Sequence, residues 1–313
     1  MDNKLHVSSS PHLHSGASTT KIMLDVIIAL IPAGIMSVVL FGFRSVAVIF
    51  TCVLSCILFE YGFQKISKKP TTVCNLSAVV TGLLLAYNLP VGIPLWMAVI
   101  GCAAAIIVVK QCFGGIGQNF ANPAIVGRIV MLVSFSSAMS TFPPTVFMAD
   151  AVTTATPMQL LANDQTPDVL SLLWGNHQGT LGETCAIALI IGGLYLIIKR
   201  VISPVIPVCF MGSVFVMALI KSGFDINFAV CQLLSGGLIL GAFFMATDYT
   251  TSPINFKGKI VFALGCGIIT ACIRFWANLP EGVSYAILLM NITVPLIERI
   301  TTPRPFGWEG IKK

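Results

Sequence analysis

Ten predominantly apolar stretches, each about as long as the roughly 20 residues a lipid bilayer requires, follow one another through this chain, with one long connection between the fifth and the sixth. A backbone that enters hydrocarbon must satisfy its own N–H and C=O groups, so each stretch is expected to be helical. Apolar residues are 56% of the 313 and charged residues only 10%, which leaves too little polar surface for a water-soluble domain. The fold class expected is an all-α polytopic membrane protein.

The first five stretches lie near residues 22–41, 45–63, 73–89, 93–109 and 123–140. The second five lie near residues 184–198, 201–220, 228–247, 260–276 and 283–297. This divides the chain into a tail (1–21), a first five-helix unit (22–140), a connecting loop (141–183), a second five-helix unit (184–298) and a closing tail (299–313). Residues 1–20 are polar, with three histidines and the run Ser8-Ser9-Ser10-Pro11. They lack the apolar centre and small-residue cleavage site of a secretory signal, so the first span is expected to be retained.

Charge placement gives the orientation. An even number of spans with both termini on the cytoplasmic side puts all but three of the 18 Lys and Arg inside; only Arg44, Lys221 and Arg274 fall outside. Residues 141–183 contain no Lys or Arg and are expected to face outward. The net charge of +6 is then a matter of orientation and not a nucleic-acid footprint.

Gly101-Cys102 and Gly265-Cys266 each open an apolar run that ends in a base, Lys110 and Arg274, and Gly82 and Gly241 precede Ala86 and Ala246 at nearly matching spacing. This is either chance similarity in apolar sequence or an internal repeat. Five spans per repeat would force opposite topologies, the arrangement whose binding sites are built from broken helices. Two segments have the composition of such breaks. One is Gly114 to Pro123, with three glycines, Asn119, Asn122 and an Asn-Pro helix start. The other is Ala246 to Pro253, with Asp248 among four threonine and serine hydroxyls. An ordinary inter-helix loop is the alternative for both. Asp25 and Glu60 lie near inner span ends, where interfacial solvation accounts for them. Asp248 is the better candidate for a coupling-ion or cofactor environment.

The ten cysteines lie in or near apolar stretches without a Cys-x-x-Cys pair, so no iron–sulfur or zinc site built by this chain alone is expected. His12 and His14 read as polar tail residues.

In the outward loop, Thr156, Pro157 and Gln159 form a helix start: a threonine cap, proline at the first helical position and a glutamine closing a capping box. Asp150, Thr153, Ala155 and Thr156 also resemble, in order and spacing, the Asp-x-x-Ser/Thr-Gly-Ala-Thr signature at which flavin transferases attach FMN through its phosphate to the last threonine. Position 154 is threonine where that signature has glycine. A phosphodiester there is expected to meet the N–H groups and positive dipole end of the helix.

The resemblance extends over the chain. Ser10-Pro11-His12, the run from Ala29 to Ala33, Gly114 to Ala124, Asp150 to Pro157, Ala246-Thr247-Asp248 and the tail from Pro295 to Gly307 are similar to the RnfD family. These are the membrane flavoprotein subunits of Rnf ion-translocating ferredoxin:NAD oxidoreductases. The related B subunits of sodium-pumping NADH:quinone reductases share the pattern on a longer chain. The resemblance implies a urea-transporter-like fold of two inverted five-helix repeats in the bacterial inner membrane. It also implies covalent FMN on Thr156, with Asp150, Thr153 and Ala155 as recognition features. A second, noncovalent flavin such as riboflavin belongs to the same expectation, with Asn119, Asn122 and Asp248 as cofactor-binding candidates. The partners implied are the other Rnf subunits, including the second covalent-FMN subunit and the Fe–S subunits, together with a flavin transferase and membrane lipid. None of these residues is assigned the redox step itself. The other class of function open to such a scaffold is a secondary transporter or channel with no redox role.

Overall fold

The computed structural model describes residues 18–148, 156–163, 165–277 and 282–303. No strand occurs among them. Ser18 accepts the Lys21 N–H at 3.3 Å and starts α1 (Thr19–Phe41), which Gly42 joins directly to α2 (Phe43–Ile66). A turn at Val73–Asn75 and a left-handed Leu76 lead into α3 (Ser77–Tyr87). Helix α4 (Leu95–Ala103) runs on as a π-helical segment (Ala104–Gln111), and α5 (Pro123–Ser134) begins at the Asn122 cap. A short α6 (Ser136–Ser140) closes the first unit, and the described residues of the connecting loop form α7 (Pro157–Ala162) and α8 (Val169–Trp174).

The second half comprises α9 (Ala186–Ile198), α10 (Val205–Lys221), α11 (Ile226–Leu234), α12 (Leu238–Leu240), α13 (Phe256–Trp276) and α14 (Val283–Thr301). Helix α12 continues into a second π-helical segment, Gly241–Met245. Every expected apolar stretch is thus helical. Among the described residues, only α1, α2, α13 and α14 are long and apolar enough to cross a membrane by themselves, or five spans if the α11–α12 pair, bent by 64°, counts as one. Five further apolar helices, α3, α4 with its π-helical extension, α5, α9 and α10, are 10–17 residues long, too short for a bilayer unless neighbours cover their ends.

Packing follows the sequence at short range. Helix α2 buries Ser45, Val48, Cys52, Cys56, Glu60 and Gln64, a stripe at three- and four-residue spacing, and presents Phe50, Leu54 and Leu58 outward. That inversion of the soluble pattern suits a lipid-facing surface. Helices α1 and α9 pack together, and Gly192 makes this possible: a Cβ there would stand 2.0 Å from the Ala29 carbonyl oxygen. Helix α3 is enclosed, with nine of its 11 residues buried, and the Tyr87 hydroxyl donates to the Leu30 carbonyl at 2.9 Å. The connecting region then caps its exit, since the Gly182 and Leu181 N–H groups donate to the carbonyls of Tyr87 and Leu89.

Candidate functional site

Thr156 sits where the sequence places it, as the N-cap of α7. Its Oγ1 accepts the Gln159 N–H at 3.4 Å, and the Gln159 side-chain oxygen accepts the Thr156 N–H at 3.0 Å, closing the capping box. The expectation of a helix-dipole anion site needs correction. Helix α7 has six residues, Pro157 brings no N–H, and the Gln159 N–H is already engaged by the cap. What surrounds an anchor at Thr156 is therefore side chains and not a long helix terminus. Asp150, Thr153, Thr154 and Ala155 lie outside the described residues.

Those side chains form a cavity. Leu132 at the end of α5, Met139 of α6 and Phe142 supply an apolar wall, and Pro157 and Met158 another. Its atom-free space is about 810 Å³ when the open mouth is counted. Polar groups enter from the loop before α9, as His177, Gln178 and Glu183, and from Tyr285 of α14. At its edge is the break between α11 and α12. Gly236 and Gly237 hold φ of +66° and +67° there, and a Cβ on Gly237 would lie 2.2 Å from Glu183 Oε1. The left-handed backbone and the close carboxylate both call for glycine.

Glu183 is paired. Arg128 of α5, 3% exposed, donates through Nη1 to Glu183 Oε1 at 2.9 Å and to Asn88 Oδ1. Gln178 is 6% exposed and its amide nitrogen has no hydrogen-bond partner. The His177 ring nitrogen Nδ1 lies 3.3 Å from the Ser171 carbonyl, which can only accept, so Nδ1 carries the hydrogen. Burial pushes this imidazole down to about 4, and it is neutral at pH 7. The cavity thus presents neutral donors and acceptors beside one internally compensated ion pair.

A second polar cavity lies at the other end of α5. Asn119, Asn122, Asp248, Thr250, Lys110 and Ser77 line it around some 450 Å³ of atom-free space. Three of the residues read from the sequence are brought together here. Asn119 Nδ2 donates to Thr250 Oγ1 at 3.0 Å, and Asp248 accepts from the Thr250 hydroxyl at 3.0 Å and the Thr251 hydroxyl at 3.4 Å. Asn122 Oδ1 caps α5 through the Ala124 N–H at 3.0 Å, the Asn-Pro helix start expected. The two segments meet at Asn119 and Thr250 and are buried at Asn119, Asn122, Thr247 and Thr251, while Gly114, Gly117, Gln118 and Tyr249 remain exposed.

Glu60 is the clear correction to the reading from sequence. It is fully buried instead of interfacially solvated, and its Oε2 takes a 2.7 Å hydrogen bond from Lys110 Nζ. Lys110 also donates to Ser77 Oγ at 2.7 Å, while Thr72 and Gln64 donate to Glu60 Oε1. Arg274 makes the corresponding contact in the second half, donating to the carbonyls of Gln232, Ser235 and Gly236 ahead of α12. Lys110 thus binds a carboxylate and the hydroxyl at the start of α3, whereas Arg274 binds carbonyls at the α11–α12 break. Asp25 is half-buried and accepts from the Tyr195 hydroxyl at 2.9 Å.

The two cavities are joined by polar contacts. Asn122 Nδ2 donates to the Met245 carbonyl at 3.2 Å, Asn88 Nδ2 approaches the Met245 sulfur at 3.7 Å, and Asn88 accepts from Arg128, which reaches Glu183. From Asn122 to Leu132 the separation along α5 is about 15 Å at 1.5 Å per residue. Sequence reading did not find Gln178, Glu183, Tyr285 or Asn88. Arg128, a base inside an apolar run, was the one visible signal of this centre.

The model of the NQR2, RnfD, RnfE family matches residues 6–307. The chain is 48% identical to the D subunit of the Na(+)-translocating ferredoxin:NAD(+) oxidoreductase complex of Acetobacterium woodii, covering 99% of this chain and 97% of that one. It is 42% identical to the proton-translocating counterpart of Clostridium ljungdahlii, covering 97% of each. To the D subunit of the ion-translocating oxidoreductase complex of Actinobacillus succinogenes it is 35% identical, over 96% and 98% of the two chains.

Proposed function

The chain belongs to the NQR2, RnfD, RnfE family, and from that premise we propose that it is the D subunit of an ion-translocating ferredoxin:NAD oxidoreductase, relaying electrons through FMN esterified to Thr156. The observation that carries this reading is Thr156 at the wall of a largely apolar cavity that is open on one side. Capping and attachment are compatible. The cap uses an Oγ1 lone pair, and esterification replaces only the hydroxyl hydrogen. A phosphate tether leaves the isoalloxazine ring free to take up electrons singly or in pairs. Asp150, Thr153 and Ala155 are the transferase's recognition features under this proposal, and Thr156 is an anchor.

The proposal includes ten spans in two inverted five-helix units (22–140 and 184–298), both termini cytoplasmic, and a bacterial inner-membrane location. Support comes from the charge asymmetry, which persists when the buried Lys110, Arg128 and Arg274 are left out. Asn119, Asn122 and Asp248 are proposed to line a second, noncovalent flavin site, riboflavin being the candidate. The other Rnf subunits, the second covalent-FMN subunit and the Fe–S subunits among them, are the proposed electron partners. The relatives are named for sodium and for protons, and either ion fits the proposal.

The test is Thr156→Val with a flavin transferase co-expressed. It keeps the β-branched shape and removes the hydroxyl, at a cost of about 1 kcal/mol for the lost cap. In-gel fluorescence of the denatured chain and mass spectrometry of the peptide from Asp150 to Leu161 should find FMN minus water on the wild type only. An unmodified wild-type peptide refutes the attachment.

A further inference from the structure

The loop before α9 supplies the Thr156 cavity with polar groups, and one of them, the Gln178 amide nitrogen, has no partner in the chain. Gln178 is buried at the cavity wall, and its amide nitrogen lacks an acceptor. A buried amide N–H is seldom left unpaired, because desolvation then goes uncompensated. An acceptor presented from the cavity removes that cost. Its neighbour His177 has its hydrogen committed on Nδ1 to Ser171, which leaves Nε2 as a lone-pair acceptor. The remaining charge, Glu183, is already paired with Arg128. Donor and acceptor therefore stand in adjacent residues, facing walls formed by Leu132, Met139 and Met158.

We propose that this cavity seats the isoalloxazine ring of the flavin tethered at Thr156, and that the Gln178 side-chain amide donates to the ring's pyrimidine edge and sets its reduction potential. The inference rests on the Thr156 attachment reading. An isoalloxazine has the required complementarity: an apolar dimethylbenzene end for the apolar walls, and a pyrimidine edge with carbonyl acceptors and one N–H donor. Reduction increases negative charge at that edge. A fixed donor there favours the reduced form, and its bond strengthens as charge develops. Gln178 is accordingly a cofactor-contacting residue whose effect is on potential and not on attachment.

The experiment uses the full chain, co-expressed with a flavin transferase and purified in detergent. The covalent flavin is titrated against a dithionite-poised series with Thr156→Val as the blank, so that any dissociable flavin is subtracted. Gln178→Leu should keep the wild-type adduct stoichiometry by mass spectrometry. Its first reduction step should become at least about tenfold less favourable, a fall of about 59 mV for a one-electron couple. Gln178→Asn, which keeps an amide on a shorter arm, should fall between the two. A Gln178→Leu chain with full adduct and unchanged potential overturns the proposal while leaving the Thr156 attachment standing. Absence of adduct on the wild type overturns the attachment itself. A third arm needs no substitution: iodide should quench the wild-type covalent flavin poorly in the native chain and strongly after denaturation. Equal quenching in both states overturns the seat even where Gln178→Leu fails to fold.

Discussion

Substitution of Glu60 by glutamine is predicted to loosen the first half of the protein out of proportion to its size. The change keeps the side-chain shape and the contacts from Thr72 and Gln64, but it strands the Lys110 ammonium, 3% exposed, with Ser77 as its remaining close partner. Removing one member of a buried pair costs about 3–5 kcal/mol, whereas removing both is often near neutral. Three buried thiols, Cys52, Cys56 and Cys102, lie on α2 and α4 beside the pair and react only when these helices open, unlike the exposed Cys74 and Cys112. If labelling proceeds through opening, about 3 kcal/mol corresponds to a labelling rate raised roughly a hundredfold. Peptide-resolved labelling with a small maleimide measures this directly. Glu60→Gln and Lys110→Met should each accelerate labelling of the three thiols, and the double variant should recover most of the protection. Additive acceleration in the double variant, or no acceleration in either single one, refutes the pairing argument.

Asp248→Asn should leave adduct formation at Thr156 intact, because the two residues sit at opposite ends of α5. Ion-coupled electron transfer by the assembled complex should fall by at least about tenfold, or 1.4 kcal/mol, and unchanged turnover and transport would remove Asp248 from the mechanism. The His177 pKa is depressed from 6.5 to about 4, so the unfolded loop binds a proton in this interval that the folded loop refuses. Stability of the loop before α9 should therefore decline as pH falls from about 6.5 to 4 and level off below that. Limited proteolysis across this range should show it, and His177→Gln should flatten the profile. A reporter fused at His177 should behave as extracytoplasmic; a cytoplasmic signal would invalidate the ten-span map.

Legibility tracked the range of the interactions. The Thr156 capping box and the Asn122–Pro123 start depend on residues within three positions of one another, and both were readable. So was the apolar periodicity that makes each stretch a helix. The pairing of Glu60 with Lys110 spans 50 residues, and a lone carboxylate near a span end gives no sign of it. Arg128, Asn88 and Glu183 come from three separate parts of the chain, and only packing brings them together. The interruption at Gly236–Gly237 fell inside what reads as one span, since two glycines hardly change its apolar character. Gln178 has no signature at all, because an orphaned amide is a property of its surroundings.

The enclosure of α3 bears on how such a chain enters a membrane. At 11 residues it is about 16 Å long, against a hydrocarbon core of roughly 30 Å. Left alone in lipid, it would expose unpaired backbone at both ends. A stepwise route in which every helix is first inserted as an independent unit and only later associates is therefore closed to it. Helix α3 has to be delivered together with α2, its principal packing partner, and its exit is sealed only after Leu181 and Gly182 have been synthesised. Nascent chains arrested before residue 181 should thus hold α3 in a state accessible to chaperones and proteases, which release of the connecting loop and α9 converts to a protected one.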